Sequence, residues 1–364
     1  MSLTEKDYTT GMKILREAAS SSLRLPKDSY IYSFAEATID RSDNIASLAV
    51  ISSDDSLRIF DVKTLDPVPS GTIKSVHSSV TAVTKFASDT YFPILLTCGR
   101  DGRVRGWDTR TGSKAVELVA PKEEPLSALA CDVNLQAVVA GTELQRDGPG
   151  DVNIYGWDIR SPDSIVLNYA ESHTDTITEL SFLPKSGSTA GLLLSGSTDG
   201  LINIYDTSKT DEDDAVLQVL NHKSAIHHAG CLGNEIYALG TDETLSFYAK
   251  QVSETENEDQ HPVHLGDIRE ELDCNYVVNI VRDLGTTILA AGNYSEDPHV
   301  DLIPLVKNST SSSVGWTPNR REGARLVGGH GQEVIRDVVF LAGQNAAVTC
   351  GEDGMVRLWK ESSR

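Results

Sequence analysis

Three groups of side chains in this 364-residue sequence have the composition of a hydrolytic triad: a hydroxyl, an imidazole and a carboxylate. In the first group His77 precedes Asp101 by 24 residues, and Thr97 lies four residues before that aspartate. The other two groups have nearly the same spacing and comprise His173, Ser195 and Asp199, and His330, Thr349 and Asp353. An imidazole next to an oriented hydroxyl can activate it as a nucleophile, so this composition would suit acyl transfer.

The recurrence of the pattern argues for a structural role instead. An aromatic residue follows each aspartate by six residues and gives each group a fourth member: Trp107, Tyr205 and Trp359. Three active sites at almost one spacing are not expected, whereas a repeated hydrogen-bond chain gives every buried polar group a partner. We therefore predict no catalytic residues and no enzymatic activity. A deep pocket with strongly perturbed carboxylates would favour the alternative of an enzyme.

Metal and cofactor chemistry lack their usual residues. His227 and His228 are adjacent, and neighbouring strand residues point to opposite faces, so we predict no metal site. No glycine-rich phosphate loop leads from a strand into a helix, so we predict no cofactor. The five cysteines are odd in number, widely spaced and without a CxxC pair. This usage predicts reduced thiols and an intracellular location, in the nucleus, the cytoplasm or both.

The segments that carry these groups recur along the chain. Small residues, then Asp and often Gly, lead into an alternating segment that ends in an aromatic residue. The six copies are Ser52–Asp61, Cys98–Asp108, Asp151–Asp158, Gly196–Asp206, Gly240–Tyr248 and Cys350–Lys360. A seventh, weaker copy between Ile288 and Leu305 lacks the aromatic residue. Alternation predicts strands and Asp-Gly predicts tight hairpin turns, so each copy is a small sheet that must stack on its neighbours.

These motifs resemble those of the WD-repeat family from about Tyr30 to Lys360, with Trp-Asp itself at Trp107-Asp108 and Trp157-Asp158. The resemblance implies an all-β, seven-bladed propeller at residues 29–364, after a tail or short helix at 1–28. An N-terminal strand is expected to close the last blade, and Tyr30–Phe34 is the candidate. Segments resembling the WD-repeat-containing protein 89 group are Ser195–Asp206, Asp211–Ala215, Asp267–Glu270, Gly328–His330 and Gly351–Asp353.

The resemblance also implies two rims. The turns that carry the repeated aspartates emerge on one rim together with the histidine loops. Residues just before those aspartates are the candidate partner contacts there: Ser53, Arg100, Thr198, Thr241 and Glu352. On the opposite rim two copies continue as Trp-Asp-x-Arg, ending at Arg110 and Arg160. This box is similar to that of substrate receptors for cullin-RING ubiquitin ligases, which implies docking to the ligase adaptor as an alternative function.

The charge suggests the type of partner. The chain has 53 Asp and Glu against 32 Lys and Arg, a net charge of −21. Acidic runs occur at Lys209–Asp214 and Val252–His261. A phosphate backbone or anionic membrane requires a basic face, so we predict no direct nucleic-acid or membrane binding. The predicted function is a non-enzymatic interaction scaffold whose acidic surface binds a basic protein of the histone or ribosomal type.

Overall fold

Strands dominate the structure, a computed structural model that describes residues 11–40, 44–86, 94–183, 191–251, 261–283, 285–307, 314–341 and 345–361. The first strand is β1 (Lys13–Ser21). Two α-helices of one turn each occur at Glu212–Ala215 (α1) and Arg269–Leu272 (α2), and short 3-10 turns at Pro121–Glu123 and Arg320–Glu322. Within the described ranges no helix is long and apolar enough to cross a bilayer. The acidic run at residues 252–260 lies outside the described residues.

Five antiparallel sheets follow β1, and each contains four strands that are consecutive in sequence. The first unit contains β2 (Ile31–Ile39), β3 (Ile45–Ser52), β4 (Leu57–Asp61) and β5 (Pro67–Ile73). The second contains β6 (Val80–Phe86), β7 (Ile94–Gly99), β8 (Arg103–Asp108) and β9 (Ser113–Val119). The third contains β10 (Leu126–Asp132), β11 (Ala137–Thr142), β12 (Ile154–Asp158) and β13 (Ile165–Tyr169).

The same pattern continues through the second half of the chain. The fourth unit contains β14 (Ile177–Leu183), β15 (Leu192–Ser197), β16 (Leu201–Asp206) and β17 (Val216–Asn221). The fifth contains β18 (Ile226–Leu232), β19 (Glu235–Gly240), β20 (Thr244–Ala249) and β21 (Val263–Asp267). The remaining strands are β22 (Tyr276–Asp283), β23 (Thr286–Asn293), β24 (His299–Lys307), β25 (Trp316–Pro318), β26 (Ala324–Val327), β27 (Ile335–Leu341), β28 (Ala346–Gly351) and β29 (Val356–Glu361).

The last sheet has nine strands and contains two groups of four. One group runs β22-β23-β24-β26, with β25 beside β24, and the other runs β27-β28-β29-β1. The groups meet where β26 and β1 pair in parallel. First strands of most successive units lie side by side, and β2 contacts both β6 and β27. The fifth and sixth units meet through a shared core cluster, so the units close into a ring. The structure is an all-β propeller, and its topology favours the interpretation of seven blades.

The antiparallel order defines two rims. Connections between the second and third strands of a unit, and those between units, emerge on one edge of the ring, which we call the first rim. The other connections form the opposite rim. Because units stack face to face, middle strands such as β16 are buried on both sides, whereas the outer strand β17 alternates between exposed and half-buried residues.

The closing strand differs from the one predicted. Tyr30–Phe34 does not lie beside β29; Ile31–Phe34 belong to β2, which pairs with β3 in the first unit. The strand that pairs antiparallel with β29 is β1, in the region predicted to be a tail or short helix. Its Ala, Leu, Glu and Arg residues favour helix intrinsically. Pairing with the open edges of β29 and β26 overrides that preference because it satisfies otherwise unpaired strand edges.

The segment around β1 contributes to three core clusters. Met12 is fully buried among residues of the fifth and sixth units, such as Phe247 and Ile303. Leu15 packs in the cluster that joins the sixth and seventh units. Leu23 packs with the cluster that joins the seventh and first units. The segment therefore stabilises several inter-unit interfaces at once.

Candidate functional site

The second unit brings its four predicted side chains into one hydrogen-bonded chain. The Nδ1 atom of His77 lies 2.8 Å from a carboxylate oxygen of Asp101, and its Nε2 atom lies 2.8 Å from the Thr97 hydroxyl. The indole Nε1 of Trp107 donates to the same hydroxyl at 2.9 Å. The chain links the connection before β6, the β7–β8 turn and both middle strands. It thereby fixes the first rim to the body of the unit.

The other two sets adopt the same arrangement. In the last unit His330 contacts Asp353 and Thr349 at 2.8 Å each, and Trp359 donates to Thr349 at 2.8 Å. In the fourth unit the corresponding contacts of His173 are 3.0 Å to Asp199 and 2.6 Å to Ser195. Tyr205 replaces the tryptophan there, with its hydroxyl 3.4 Å from that of Ser195.

Burial prevents these hydroxyls from acting as nucleophiles. The side chains of Thr97, Ser195 and Thr349 are each 0% exposed, so no substrate carbonyl can reach them. The aromatic donor also occupies part of each hydroxyl's hydrogen-bonding capacity. Burial lowers the pKa of His77 and of His330 despite their aspartate partners, which favours the neutral imidazole that this chain of donors and acceptors requires. The triad composition therefore serves packing in these units.

The Thr349→Val substitution tests the energetic weight of one set. It preserves shape but leaves the Trp359 Nε1–H and the His330 Nε2 buried without their shared partner. We expect the free energy of unfolding to fall by about 2–4 kcal/mol. The exposed Thr72→Val in β5 is the matched control and is expected to change it by less than about 0.5 kcal/mol. Urea denaturation measures both, and equal effects would contradict the role of the hydroxyl.

An arginine that the sequence analysis missed reinforces the aspartate turns. Arg105 donates to Asp101 at 2.7 Å and Arg357 donates to Asp353 at 2.8 Å, each four residues after its aspartate. Although burial acts in the opposite direction, the histidine and arginine hold the pKa of Asp101 and of Asp353 below its usual value. The first unit lacks the histidine, and there the buried Arg58 bridges Asp54 and the carbonyl of Leu23. The repeated Asp-x-x-x-Arg spacing was the available signal.

Glu212 is a second residue that the charge pattern did not reveal. The acidic run Lys209–Asp214 predicts carboxylates that are available to a basic partner. Its Glu212 instead accepts hydrogen bonds from the backbone N–H groups of Ala170, Glu171 and Ser172, at 2.6, 2.9 and 2.8 Å. These residues immediately precede His173. The carboxylate thus holds the histidine loop of the fourth unit and is not free for a partner.

The candidate contacts of the first rim differ in exposure. Ser53, Arg100 and Thr241 are exposed, whereas Thr198 and Glu352 are half-buried. Arg100 forms a two-pronged ion pair with Glu143, with distances of 2.6 and 3.1 Å. Glu352 pairs with Arg336. These residues lie on different units around the rim and form no single pocket.

The two Trp-Asp-x-Arg motifs reach the opposite rim, and both arginines fold back on their own aspartates. Arg160 donates to Asp158 through Nε at 2.8 Å, and Arg110 contacts Asp108 at 3.4 Å. Their side chains remain 68% and 62% exposed. Hydrogen bonds from Arg160 lower the pKa of Asp158 to about 2.

The adjacent histidines form a packing pair. The rings of His227 and His228 lie 4.3 Å apart, and His228 contacts Glu179 at 3.1 Å. Among the described residues, no group of three His, Cys, Asp or Glu side chains is placed to hold a metal ion. Burial, followed by the charges of His228 and Arg336, lowers the pKa of His227 to about 4.

This shift predicts acid sensitivity. The folded pKa of His227 lies below the roughly 6.5 of the unfolded chain, so the unfolded state takes up a proton first as the pH falls. The contribution of His227 to stability is therefore greatest above pH 6.5 and decreases through the window down to about pH 4. Between pH 7.5 and pH 5 we expect the free energy of unfolding to fall by about 2 kcal/mol less in His227→Gln than in the wild type. Urea denaturation at both pH values measures this, and an unchanged pH dependence would contradict it; His261→Gln, at an exposed site, is the control.

Comparisons with known proteins agree with this geometry. The family model of the WD domain, G-beta repeat, matches residues 69–108, 166–206 and 324–360. An uncharacterized WD repeat-containing protein of Saccharomyces cerevisiae is 31% identical over 306 residues, covering 82% of this chain and 73% of that protein. A similar protein of Schizosaccharomyces pombe is 28% identical over 355 residues, covering 94% and 99%. The WD repeat-containing protein 89 homolog of Dictyostelium discoideum is 26% identical over 305 residues, covering 79% and 73%.

Proposed function

This chain belongs to the WD-repeat family, as its motifs predict, and from that premise we propose that it is a non-enzymatic scaffold for a basic protein partner. Proteins of this family generally act as platforms for protein interactions. The partner class is a histone or ribosomal protein, and the proposed location is the nucleus or the cytoplasm. The five cysteines are free, which suits a reducing compartment.

A concentration of acidic residues on one sector of the first rim carries the proposal. We call this the acidic sector; its exposed members are Asp242, Asp267, Glu270, Glu271, Asp273, Glu296 and Asp297. The nearby cation Arg269 is held by Asp267 at 2.6 Å. Backbone and side-chain hydrogen bonds join the three loops concerned, including Ile268 to Glu243 and Asn293 to Asp273. A fixed, negatively charged surface of this kind attracts and orients a basic partner.

Aromatic residues on the same rim supply contact area. Tyr30, Tyr32 and Tyr294 are 46%, 39% and 43% exposed. The ring of Tyr294 stacks on that of Tyr276 with 5.9 Å between centroids. Tyrosine and arginine are enriched among the residues that dominate binding energy at protein interfaces. These tyrosines, with Arg100 and Arg336, extend the proposed surface beyond the acidic sector.

Charge reversal tests the proposal with purified core histones as the probe. The triple variant Glu270→Lys, Glu271→Lys and Asp273→Lys should weaken binding at least about tenfold, and wild-type affinity should fall steeply as salt rises. The control reverses three exposed acids on the opposite rim: Asp66, Asp163 and Glu322. Salt-insensitive binding, or equal loss in both variants, would contradict the acidic sector as the binding surface.

The exposure of Arg110 and Arg160 supports a second candidate, a substrate receptor of a cullin-RING ubiquitin ligase. In that case the arginines would exchange their own aspartates for groups of the adaptor. Co-purification with the damaged-DNA-binding adaptor should be lost in the double variant Arg110→Ala and Arg160→Ala without a change in melting temperature. Absence of the adaptor from the wild-type pull-down would exclude this candidate.

A further inference from the structure

A cleft of about 680 Å³ opens on the first rim of the third unit. Its walls come from the connection before β10, the long connection between β11 and β12, and the end of β13 with the following loop. The volume lies within the roughly 300–1,000 Å³ of protein ligand pockets. It is large enough to receive a long side chain together with its neighbouring backbone.

The cleft lies in one of the units that lack the four-member set. Ala140, which pairs with Tyr155, occupies the strand position that Thr97 has in the second unit, where Thr97 pairs with Arg105. The hydroxyl is therefore missing, and no histidine precedes β10 at the usual distance. Glu124 approaches from that connection instead. It accepts from the Tyr155 hydroxyl at 2.7 Å and from Asn153 Nδ2 at 3.2 Å.

The cleft contains carboxylate oxygens that have no hydrogen-bond or ion-pair partner among the described residues. Both hydrogen bonds to Glu124 end on Oε2, and within the described chain its Oε1 has no hydrogen-bond partner. Burial and the neighbouring Glu124 raise the pKa of Tyr155, so its hydroxyl remains a donor to the carboxylate. Asp151 and Glu171 are exposed at the rim of the cleft. Neither forms an ion pair with any residue that the structure describes.

The cations at the cleft do not neutralise these carboxylates. Lys122 and Arg146 line it, but among the described residues neither forms an ion pair with Glu124, Asp151 or Glu171. The guanidinium of Arg146 lies against Gly150, where an added Cβ would be 2.6 Å from its Nε. Glu143, a fourth acid of the wall, is already bound by Arg100. The cleft is therefore lined by three carboxylates that have no ion-pair partner among the described residues.

The walls are held in place before any ligand arrives. The N–H of Glu143 donates to the carbonyl of Pro125 at 2.8 Å, and that of Leu144 to the Thr176 hydroxyl at 3.0 Å. At the other end of the long connection, the N–H of Gly150 donates to the carbonyl of Thr174 at 2.9 Å. These bonds anchor the connection to both neighbouring loops. A preformed site of this kind loses little conformational entropy on binding.

We propose that this cleft receives an arginine side chain of the basic partner, with Glu124 at its base and Asp151 and Glu171 at its rim. A guanidinium suits the site because its planar fork of donors can bind a carboxylate oxygen while other N–H groups reach the rim. This inference rests on the proposed function, since it names the group of the partner that this part of the rim binds.

The test uses a fluorescein-labelled Gly-Arg-Gly-Gly-Arg-Gly peptide and its citrulline counterpart, which keeps the side-chain shape without the charge. Fluorescence anisotropy should show the arginine peptide binding the full chain at least about tenfold more tightly than the citrulline peptide. Glu124→Gln should reduce that affinity about tenfold and should preserve the acceptor for Tyr155. Glu171→Gln, at an exposed position, should reduce it about threefold.

Glu123→Gln is the matched control. It makes the same change of charge at the adjacent residue, whose carboxylate pairs with Arg103. We expect less than a twofold effect. Equal affinity for the two peptides, or wild-type affinity in Glu124→Gln, would overturn the inference; melting curves of each variant exclude loss of folding as the cause.

Histone binding measured beside the peptides separates the two proposals. If histones bind through the acidic sector while the peptides are not discriminated, the cleft assignment is wrong and the proposed function stands. If the peptides depend on Glu124 while histones fail to bind, the cleft assignment stands and the proposed partner class is wrong.

Discussion

Deletion of residues 1–21 is expected to leave no stably folded protein. The deletion removes β1 and with it the strand pairing to both β26 and β29. It also removes Met12, Ile14 and Leu15, which are 0%, 8% and 7% exposed. At roughly 1.5–3 kcal/mol per buried apolar side chain, their loss alone approaches the whole stability of a typical domain. The two uncovered strand edges would also promote aggregation.

Soluble yield, size-exclusion chromatography and circular dichroism melting measure this effect. Deletion of residues 1–10 keeps β1 and is the control, expected to melt as the full chain does. A peptide of residues 11–25 added to the longer deletion should restore a melting transition whose temperature rises with peptide concentration, because the peptide binds only the folded ring. A melting temperature within a few degrees of the full chain after the longer deletion would contradict the role of β1.

Gly354→Ala is expected to lower the free energy of unfolding by about 3–5 kcal/mol. Gly354 has a φ of +69°, which disfavours any L side chain by roughly 1–2 kcal/mol. An added Cβ would also lie 2.4 Å from the carbonyl oxygen of Ser29, which belongs to the connection entering the first unit. The backbone would have to move at the junction between the last and first units, since Ser29 is itself buried.

Gly148→Ala isolates the conformational part of that cost. Gly148 has a φ of +77°, and no atom lies within 4 Å of its added Cβ. We expect about 1–2 kcal/mol from this substitution, which has the same unfavourable φ without the collision. Urea denaturation measures the free energy of unfolding of both variants. Equal decreases would show that the backbone around Ser29 moves aside without a measurable loss of stability.

The recurring turns could be predicted from the sequence because their signals are local. An aspartate at a fixed distance before an aromatic residue marks a hairpin wherever it occurs. Thus Asp101 and Asp353 predicted both the turn and the set that forms there. Pairing partners far apart in the sequence leave no local signal, which is why β1 was assigned to a tail and Tyr30–Phe34 to the closing position.

In the candidate site, too, features that depend on local sequence could be predicted and those that depend on distant residues could not. Exposure of Ser53 and Arg100 could be predicted from their place at a turn. The partners of the charged side chains could not be predicted, because they depend on which loops meet in the folded chain. Glu212 is bound by a neighbouring loop 40 residues away, whereas Glu124 lines a cleft built from three separate connections of the third unit. Net charge by itself does not distinguish these carboxylates.

The pairing of β1 with β26 and β29 has a consequence for synthesis on the ribosome. β1 is the first described strand to be made, yet its partners come from the end of the chain; Glu17 and Arg357, which pair across β1 and β29, are 340 residues apart. At roughly 5–20 residues per second, β1 waits on the order of 20–70 s for them. During that time the earlier units can form while the ring stays open. The pairing of β1 therefore cannot form before β26 and β29 have been synthesised, so ring closure is a late step in the folding of this protein.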